Sequence, residues 1–307
     1  MTENEFVAAL SASIADFRPQ VEQRSGGHFL ILPDCEPIPW RAPKKRKWLA
    51  RENPNAIFYE ESTTAAMLFF FARANVRVML DAGARLGYFA TLALNFKPHP
   101  IDAYAFEIDP HGTEQFVKAA EEAATRGRHG ELLLSGLSDE HLGQRDIWIS
   151  VTKMFESEAE AAGYRDSPWV RLKMALRGRK DRDLPQRYSV TITSIDAFCA
   201  SRTLAPGLIK IDVDGYEAKV VPGALETLRA HKPVVFLELH KRKFIERFNV
   251  TRAEIVAPLF DMGYRALLLE DHRDRSRPIR VIDKNSPEIG REATDMFIFY
   301  HDRHVAG

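Results

Sequence analysis

The chain has 307 residues, 45% of them apolar and 28% charged, which is ordinary globular composition with enough material for a sizeable core. Lysine plus arginine equals aspartate plus glutamate, 43 against 43, and this neutral balance argues against a nucleic acid as the main partner, because neutralising phosphates needs a basic surplus. The two cysteines, Cys35 and Cys199, are far apart and in no metal-ligand spacing, which argues against a disulfide framework and fits a reducing compartment.

The first residues, MTENEF, are acidic where a secretory leader would be basic, and the longest apolar run, AAMLFFFA at 65–72, is too short to span a bilayer. The expectation is a soluble, cytoplasmic chain. Residues 1–55 read as an N-terminal extension, in which Phe6, Leu10, Ile14 and Phe17 recur at helical spacing before the Pro-rich basic stretch LPDCEPIPWRAPKKRKW. From 56 to 307 strands alternate with helices. Ser62 or Thr63 is expected to cap a helix running to Arg73. The strands are then VRVMLD (76–81), IDAYAFEID (101–109), ELLLSGLSD (131–139), LIKIDVD (208–214), PVVFLELH (233–240), YRALLLED (264–271) and DMFIFYH (295–301), with DIWISV (146–151) as an added hairpin strand. Helical patterns of ten to fifteen residues between them predict an α/β fold: a doubly wound, mostly parallel, seven-stranded sheet, with an antiparallel edge strand from the late pair that no helix joins. Such a sheet binds ligands beyond the carboxyl ends of its strands. Residues 152–187 interrupt the rhythm as a basic insert, with Arg171, Lys173, Arg177, Arg179, Lys180 and Arg182. A solvated helix is the simpler account of that charge run. A docking face at 169–182 for an anionic substrate or a membrane surface is the alternative.

VMLDAGARLGYFA is strand, tight turn and helix, spaced D-x-G-x-x-x-G rather than as the dinucleotide fingerprint. Asp81 would repel a pyrophosphate but suits a cofactor bearing an ammonium and a sulfonium, as S-adenosylmethionine does. Gly83 and Gly87 permit positive φ and close backbone approach. Glu107 ends the second strand twenty residues after Gly87, where a carboxylate can accept from ribose hydroxyls, and Asp139 follows the third strand, placed to meet the adenine amino group. The donor-binding set is thus Asp81, Gly83, Arg85, Gly87, Tyr88, Glu107, Ile108, Ser138, Asp139 and Asp212.

In LIKIDVDGYEAKVVPGA, alternation puts Lys210, Asp212 and Asp214 on one face and Ile209, Ile211 and Val213 on the other. Asp214 and Glu217 can be a capping box. Lys210 and Asp212 have no such account: an isolated buried charge costs several kcal/mol, so they pair or face a polar cavity. The alternatives are a structural ion pair or the floor of an active site. In the latter, Lys210, Asp212, Asp214 and His240 are the catalytic candidates, with Glu238 as orienter, and His240 has an ordinary pKa suited to a base. Asp212, Asp214, Glu217, Glu238 and His240 could hold a divalent cation, but no compact ligand spacing is present and no metal is expected.

Together VMLDAGARLGYFA, AYAFEIDP, LLLSGLSDEHLG, VTITSIDAF, LIKIDVDGYEAKVVPGA and PVVFLELH resemble the FkbM-type S-adenosylmethionine-dependent methyltransferases, in that family's order, over about residues 76–240. The resemblance implies a class I methyltransferase fold, S-adenosylmethionine as donor, and O-methylation of a sugar, glycan or secondary metabolite. The family usually has Asn where this chain has Arg85, and Glu where it has Asp214. Two other functions compete. Asp212-Val213-Asp214 is a D-x-D, as in nucleotide-sugar glycosyltransferases, and Arg85 blocking the donor pocket would leave a non-catalytic binding module.

Overall fold

A computed structural model describes residues 1–25, 27–40, 60–111, 113–150, 153–176, 184–270, 272 and 276–306. Helix α1 (Glu3–Ala15) starts on a capping box: the Thr2 hydroxyl accepts from Glu5 N–H, and the Glu5 carboxylate accepts from Thr2 N–H. Its buried stripe is Phe6, Leu10 and Ile14. A small antiparallel sheet follows, β1 (Gln20–Arg24), β2 (Gly27–Ile31) and β3 (Ile38–Trp40). Helix α2 (Glu61–Arg73) begins before the expected Ser62 or Thr63; Glu60 precedes its first turn and accepts from the Thr63 hydroxyl. The Phe6 ring lies 5.5 Å from Phe69, 5.8 Å from Phe70 and 5.1 Å from Tyr300, so α1 is packed on the main body.

The alternation then runs β4 (Val78–Ala82), α3 (Tyr88–Asn95), β5 (Asp102–Glu107), α4 (Glu114–Ala124), β6 (Gly130–Leu137), β7 (Gly143–Ser150), β8 (Lys153–Phe155), α5 (Glu158–Asp166), α6 (Pro168–Leu176) and β9 (Gln186–Thr193). It continues with α7 (Ile195–Arg202), β10 (Leu208–Ile211), α8 (Glu217–Val220), α9 (Leu225–His231), β11 (Val234–Leu239), α10 (Arg242–Ile245), α11 (Arg252–Asp261), β12 (Arg265–Leu269), β13 (Ile279–Ile282), β14 (Asp295–Tyr300) and α12 (Asp302–Ala306).

Among the described residues these strands form one eleven-stranded sheet, ordered β13-β12-β14-β11-β10-β4-β5-β6-β9-β7-β8. The seven expected strands are its contiguous middle, β12 to β6, and the fold is the expected doubly wound α/β class. Four further strands widen it: β13 at one edge and β9, β7 and β8 at the other. The antiparallel strand is not the edge of the expected set. The α11 crossover carries β12 one strand-width beyond β11, and β14 returns into that gap, antiparallel to both. Of the insert, β8, α5 and α6 are described, whereas Arg177, Arg179, Lys180 and Arg182 lie outside the described residues. No helix among the described residues is long and apolar enough to cross a membrane.

Alternate residues of the central strands feed two cores. Leu208 and Phe236 pack with α1, α2 and α3, while Ile209, Ile211 and Leu237 pack with α7, α9 and α11. Strand order reverses between β4 and β10, whose neighbours run to β5 on one side and β11 on the other. That reversal leaves a crevice at the carboxyl ends of β4 and β10, where a ligand can enter.

A candidate active site at the strand tips

Lys210 and Asp81 are register partners on adjacent parallel strands, so their side chains leave the sheet on the same side. Both are buried, with Lys210 Nζ 3.6 Å from Asp81 Oδ1, 3.2 Å from Asp212 Oδ2 and 5.1 Å above the Phe89 ring. Burial would lower the Lys210 pKa, but the Asp212 and Asp81 carboxylates outweigh it and raise it. Burial pushes the Asp81 carboxyl up against the pull of Lys210; its Oδ2 accepts from Ala90 N–H at 3.2 Å, in the first turn of α3. The face expected for 210 and 212 is therefore present, and its cation serves two carboxylates from different segments.

His240 follows the tip of β11, next to β10, and is ringed by acids. Its Nδ1 is 3.0 Å from Glu217 Oε1, and its Nε2 is 3.3 Å from Asp214 Oδ1 and 3.9 Å from Asp212 Oδ1. Burial would depress this imidazole, yet Asp214 and Glu217 push it up to about 11. Three carboxylates around one imidazole favour its protonated form, so His240 stands here as a cation among acids. The capping box expected of Asp214 and Glu217 is not formed: the helix starts at Glu217 with Tyr216 before it and no side-chain cap. Glu217 reaches back to Val213 N–H at 3.1 Å and Gly215 N–H at 3.2 Å. Asp214 caps nothing: it sits at φ +51° with its side chain 96% exposed, facing His240.

Glu238 lies on β11, and burial followed by the Asp212 charge raises its pKa, while Lys210 and His240 draw that of Asp212 below the usual carboxylate range against burial. The result is an acidic pair with one member ionised and the other ready to carry a proton. Sequence reasoning gave Glu238 an orienting role and a place among possible cation ligands, and missed two further groups. His272 Nε2, wholly buried, lies 3.7 Å from Glu238 Oε1 and 3.4 Å from Glu60 Oε2. A signal was available: His272 follows the tip of β12 as His240 follows β11, but its charge-rich segment reads as a surface loop.

The residues expected to meet the donor lie at the tips of β4, β5 and β6. Gly83 and Gly87 have φ of +78° and +71°. A side chain at Gly83 would strike the Asp212 carbonyl, and one at Gly87 the Phe116 ring, so the close approach that glycine permits is made to the chain itself. Arg85 meets Glu107 through its backbone N–H, at 2.6 Å, with φ +52° and an exposed side chain. Glu107 also accepts from Ile108 N–H at 2.8 Å and Asp109 N–H at 2.9 Å, and burial raises its pKa against these bonds. Asp139 accepts from Ser138 Oγ and Lys219 Nζ, both at 2.8 Å, which holds it ionised despite burial. The Tyr88 hydroxyl is bonded to Thr64 at 3.0 Å, on the α2 side. Just before α8, the Tyr216 hydroxyl donates to Glu156, joining the insert to this end of the sheet.

The expectation against metal rested on linear spacing, and that reason fails in three dimensions. Ligand atoms of Asp212, Glu238 and His240 lie within 4.8 Å of one another. Lys210 Nζ, 3.2 Å from Asp212, already places a cation beside this set. Two cavities, of about 540 Å³ beside Arg165 and Arg187 and about 460 Å³ beside Asn75 and Arg303, lie away from the cluster.

The sequence profile of the methyltransferase FkbM domain matches residues 81–266. Solved structures with similar folds include methyltransferase FkbM from Methylobacillus flagellatus, 14% identical with a TM-score of 0.40, covering 83% of this chain, which spans 57% of that chain's length. A putative O-methyltransferase from Klebsiella pneumoniae is 13% identical with a TM-score of 0.35, over 76% of this chain and 78% of its own. A Podospora anserina methyltransferase bound to S-adenosylhomocysteine is 13% identical with a TM-score of 0.31, over 98% of each chain. No curated protein sequence matches the chain.

Proposed function

The chain belongs to the FkbM methyltransferase family, and from that membership we propose that it uses S-adenosylmethionine to methylate a hydroxyl oxygen of a sugar, glycan or secondary metabolite. The observation that carries the reading is the charged cluster of Lys210, Asp212, Glu238 and His240 at the point where strand order reverses, beside the Gly83 turn. The strand-tip residues fit the donor. Asp139 is partly open to solvent, and Glu107, with three of its lone pairs taken by backbone N–H groups, keeps one for a ribose hydroxyl. Glu107 and Asp139 would hold the nucleoside, with Gly83, Gly87 and Ile108 shaping the turn around it. When bound, the donor supplies a methyl group already activated by its sulfonium.

The chain's own part is to position the acceptor and take its proton. Fixing acceptor and donor in line is worth roughly 7–11 kcal/mol. Asp212 and Glu238 form the proton-accepting pair. Lys210 and His240 keep Asp212 ionised, and burial gives Glu238 an affinity for the proton that a solvated carboxylate lacks. In the D-x-D reading Asp212 and Asp214 would stand free for a nucleotide sugar; here they face Lys210 and His240, so the glycosyltransferase alternative gains no support.

Equilibrium dialysis with radiolabelled S-adenosylmethionine tests the donor, and mass spectrometry of a glycan and metabolite panel, reading a gain of one methyl group, tests the transfer. Glu238→Gln should keep donor binding but lower turnover about 10²–10⁴-fold, the usual contribution of a base, and Asp212→Asn should lower turnover more than it weakens the donor. Unchanged turnover in both variants removes the pair from the mechanism.

A further inference from the structure

Immediately after His240 the chain reads KRKFIERF, residues 241–248, over α10 and a 3-10 turn. Four cations fall in those eight residues. Arg242 is answered by Glu246 at 2.9 Å, whereas no ion pair is formed by Lys241, Lys243 or Arg247 among the described residues. These exposed cations are interleaved with rings. Arg247 lies 4.8 Å above Tyr216 and 4.7 Å above Phe248, and Lys243 lies 5.0 Å above Phe244. Phe244 is 39% exposed, large for an aromatic ring held in place.

This rim is fixed to the reaction centre. Gly215, at φ +98°, lies so close to Phe244 that an added side chain would meet its carbonyl oxygen at 2.6 Å and its Cβ at 2.7 Å. The Phe244 ring stands 6.1 Å from the His240 ring. The acids on the same side are spoken for: Asp214 faces His240, Glu246 faces Arg242, and Glu156 accepts from Tyr216. What remains open is ring surface and positive charge. Ring surface suits the flat apolar face of a sugar, and guanidinium and ammonium groups suit an oxyanion.

Resting on the methyltransferase reading above, we propose that the acceptor is an anionic carbohydrate, whose ring packs on Phe244 and Tyr216 and whose phosphate or carboxylate is held by Lys243 and Arg247. The aromatic platform sets the hydroxyl towards Asp212 and Glu238, and the anion decides which compounds are retained.

The test is calorimetric titration of the protein saturated with S-adenosylhomocysteine. Glucose, glucose 6-phosphate and glucuronate are the probes, with inorganic phosphate as the plain anion. The expected result is that one or both charged sugars bind at least about tenfold more tightly than glucose and than phosphate alone, and the stronger of the two identifies the oxyanion. In Lys243→Ala/Arg247→Ala that preference should vanish, with S-adenosylhomocysteine affinity unchanged, and Arg247→Lys should restore part of it. Equal binding of glucose and the charged sugars, no sugar binding at millimolar concentration, or a preference that survives the double variant overturns the proposal and leaves the methyltransferase reading standing. Failure of wild-type protein to bind S-adenosylhomocysteine overturns both.

Discussion

His240 shows how a residue's neighbours decide its use. Read alone it is a base with an ordinary pKa; placed between Asp214 and Glu217 it is held protonated, up to about 11. Its folded pKa stands above the unfolded value of 6.5, so its contribution to stability is complete below pH 6.5 and is lost as pH rises through about 11. Wild type should therefore melt above His240→Gln at pH 6, and the gap should shrink steadily toward pH 11 in a series of thermal denaturations. A gap that stays constant over that range would contradict the imidazolium assignment. The two departures from the family pattern, Arg85 and Asp214, both sit at positive φ, +52° and +51°. That conformation is one an asparagine or aspartate adopts readily, and Arg85 adopts it while pointing its side chain to solvent. A blocked donor pocket does not follow from that placement.

At the scale of elements, the joint from β4 to α3 depends on Gly83 more tightly than its spacing reveals. The expected reason for the glycine was approach to a ligand; the observed one is the Asp212 carbonyl, which an added methyl would strike. Gly83→Ala should therefore destabilise by about 2 kcal/mol or more, through strain at φ +78° together with displacement of the β10 tip. Gly127, with φ +72° and nothing within 4 Å of an added side chain, supplies the control, and Gly127→Ala should cost only about 1 kcal/mol. Urea midpoints compare the two, and equal shifts would refute the packing argument. The central strands were legible because parallel strands covered on both faces read as apolar runs, and Lys210 and Asp212 stood out against such a run. The insert was legible only as an interruption. Its strand β8, together with β7 just before it, lengthens the sheet edge, and period-two alternation in DIWISV says nothing about which strand it pairs with.

Across the whole molecule, what the sequence left hidden is what tertiary contact creates. Glu60, Glu238 and His272 come from separate segments, and no spacing rule predicts that they converge. The same holds for Arg252 on α11. Buried, it donates to the Arg291 and Ala293 carbonyls and faces Asp295 at 3.4 Å, tying the last helix of the crossover to the head of β14. Asp295→Ala should leave that guanidinium without its carboxylate and cost about 3–5 kcal/mol, a fall in melting temperature on the order of 10 °C. Calorimetry showing a shift of only a degree or two would mean that the carbonyls suffice. The hydrogen bond from Tyr216 to Glu156 divides the molecule differently. Glu156 follows β8 at the outer margin of the sheet, whereas Tyr216 follows the tip of β10 at its centre, so a side chain of the central crevice is anchored to the insert. On the reading proposed above, changing that outer region would reach the compound being modified through Tyr216 while Asp81, Glu107 and Asp139 stayed as they are.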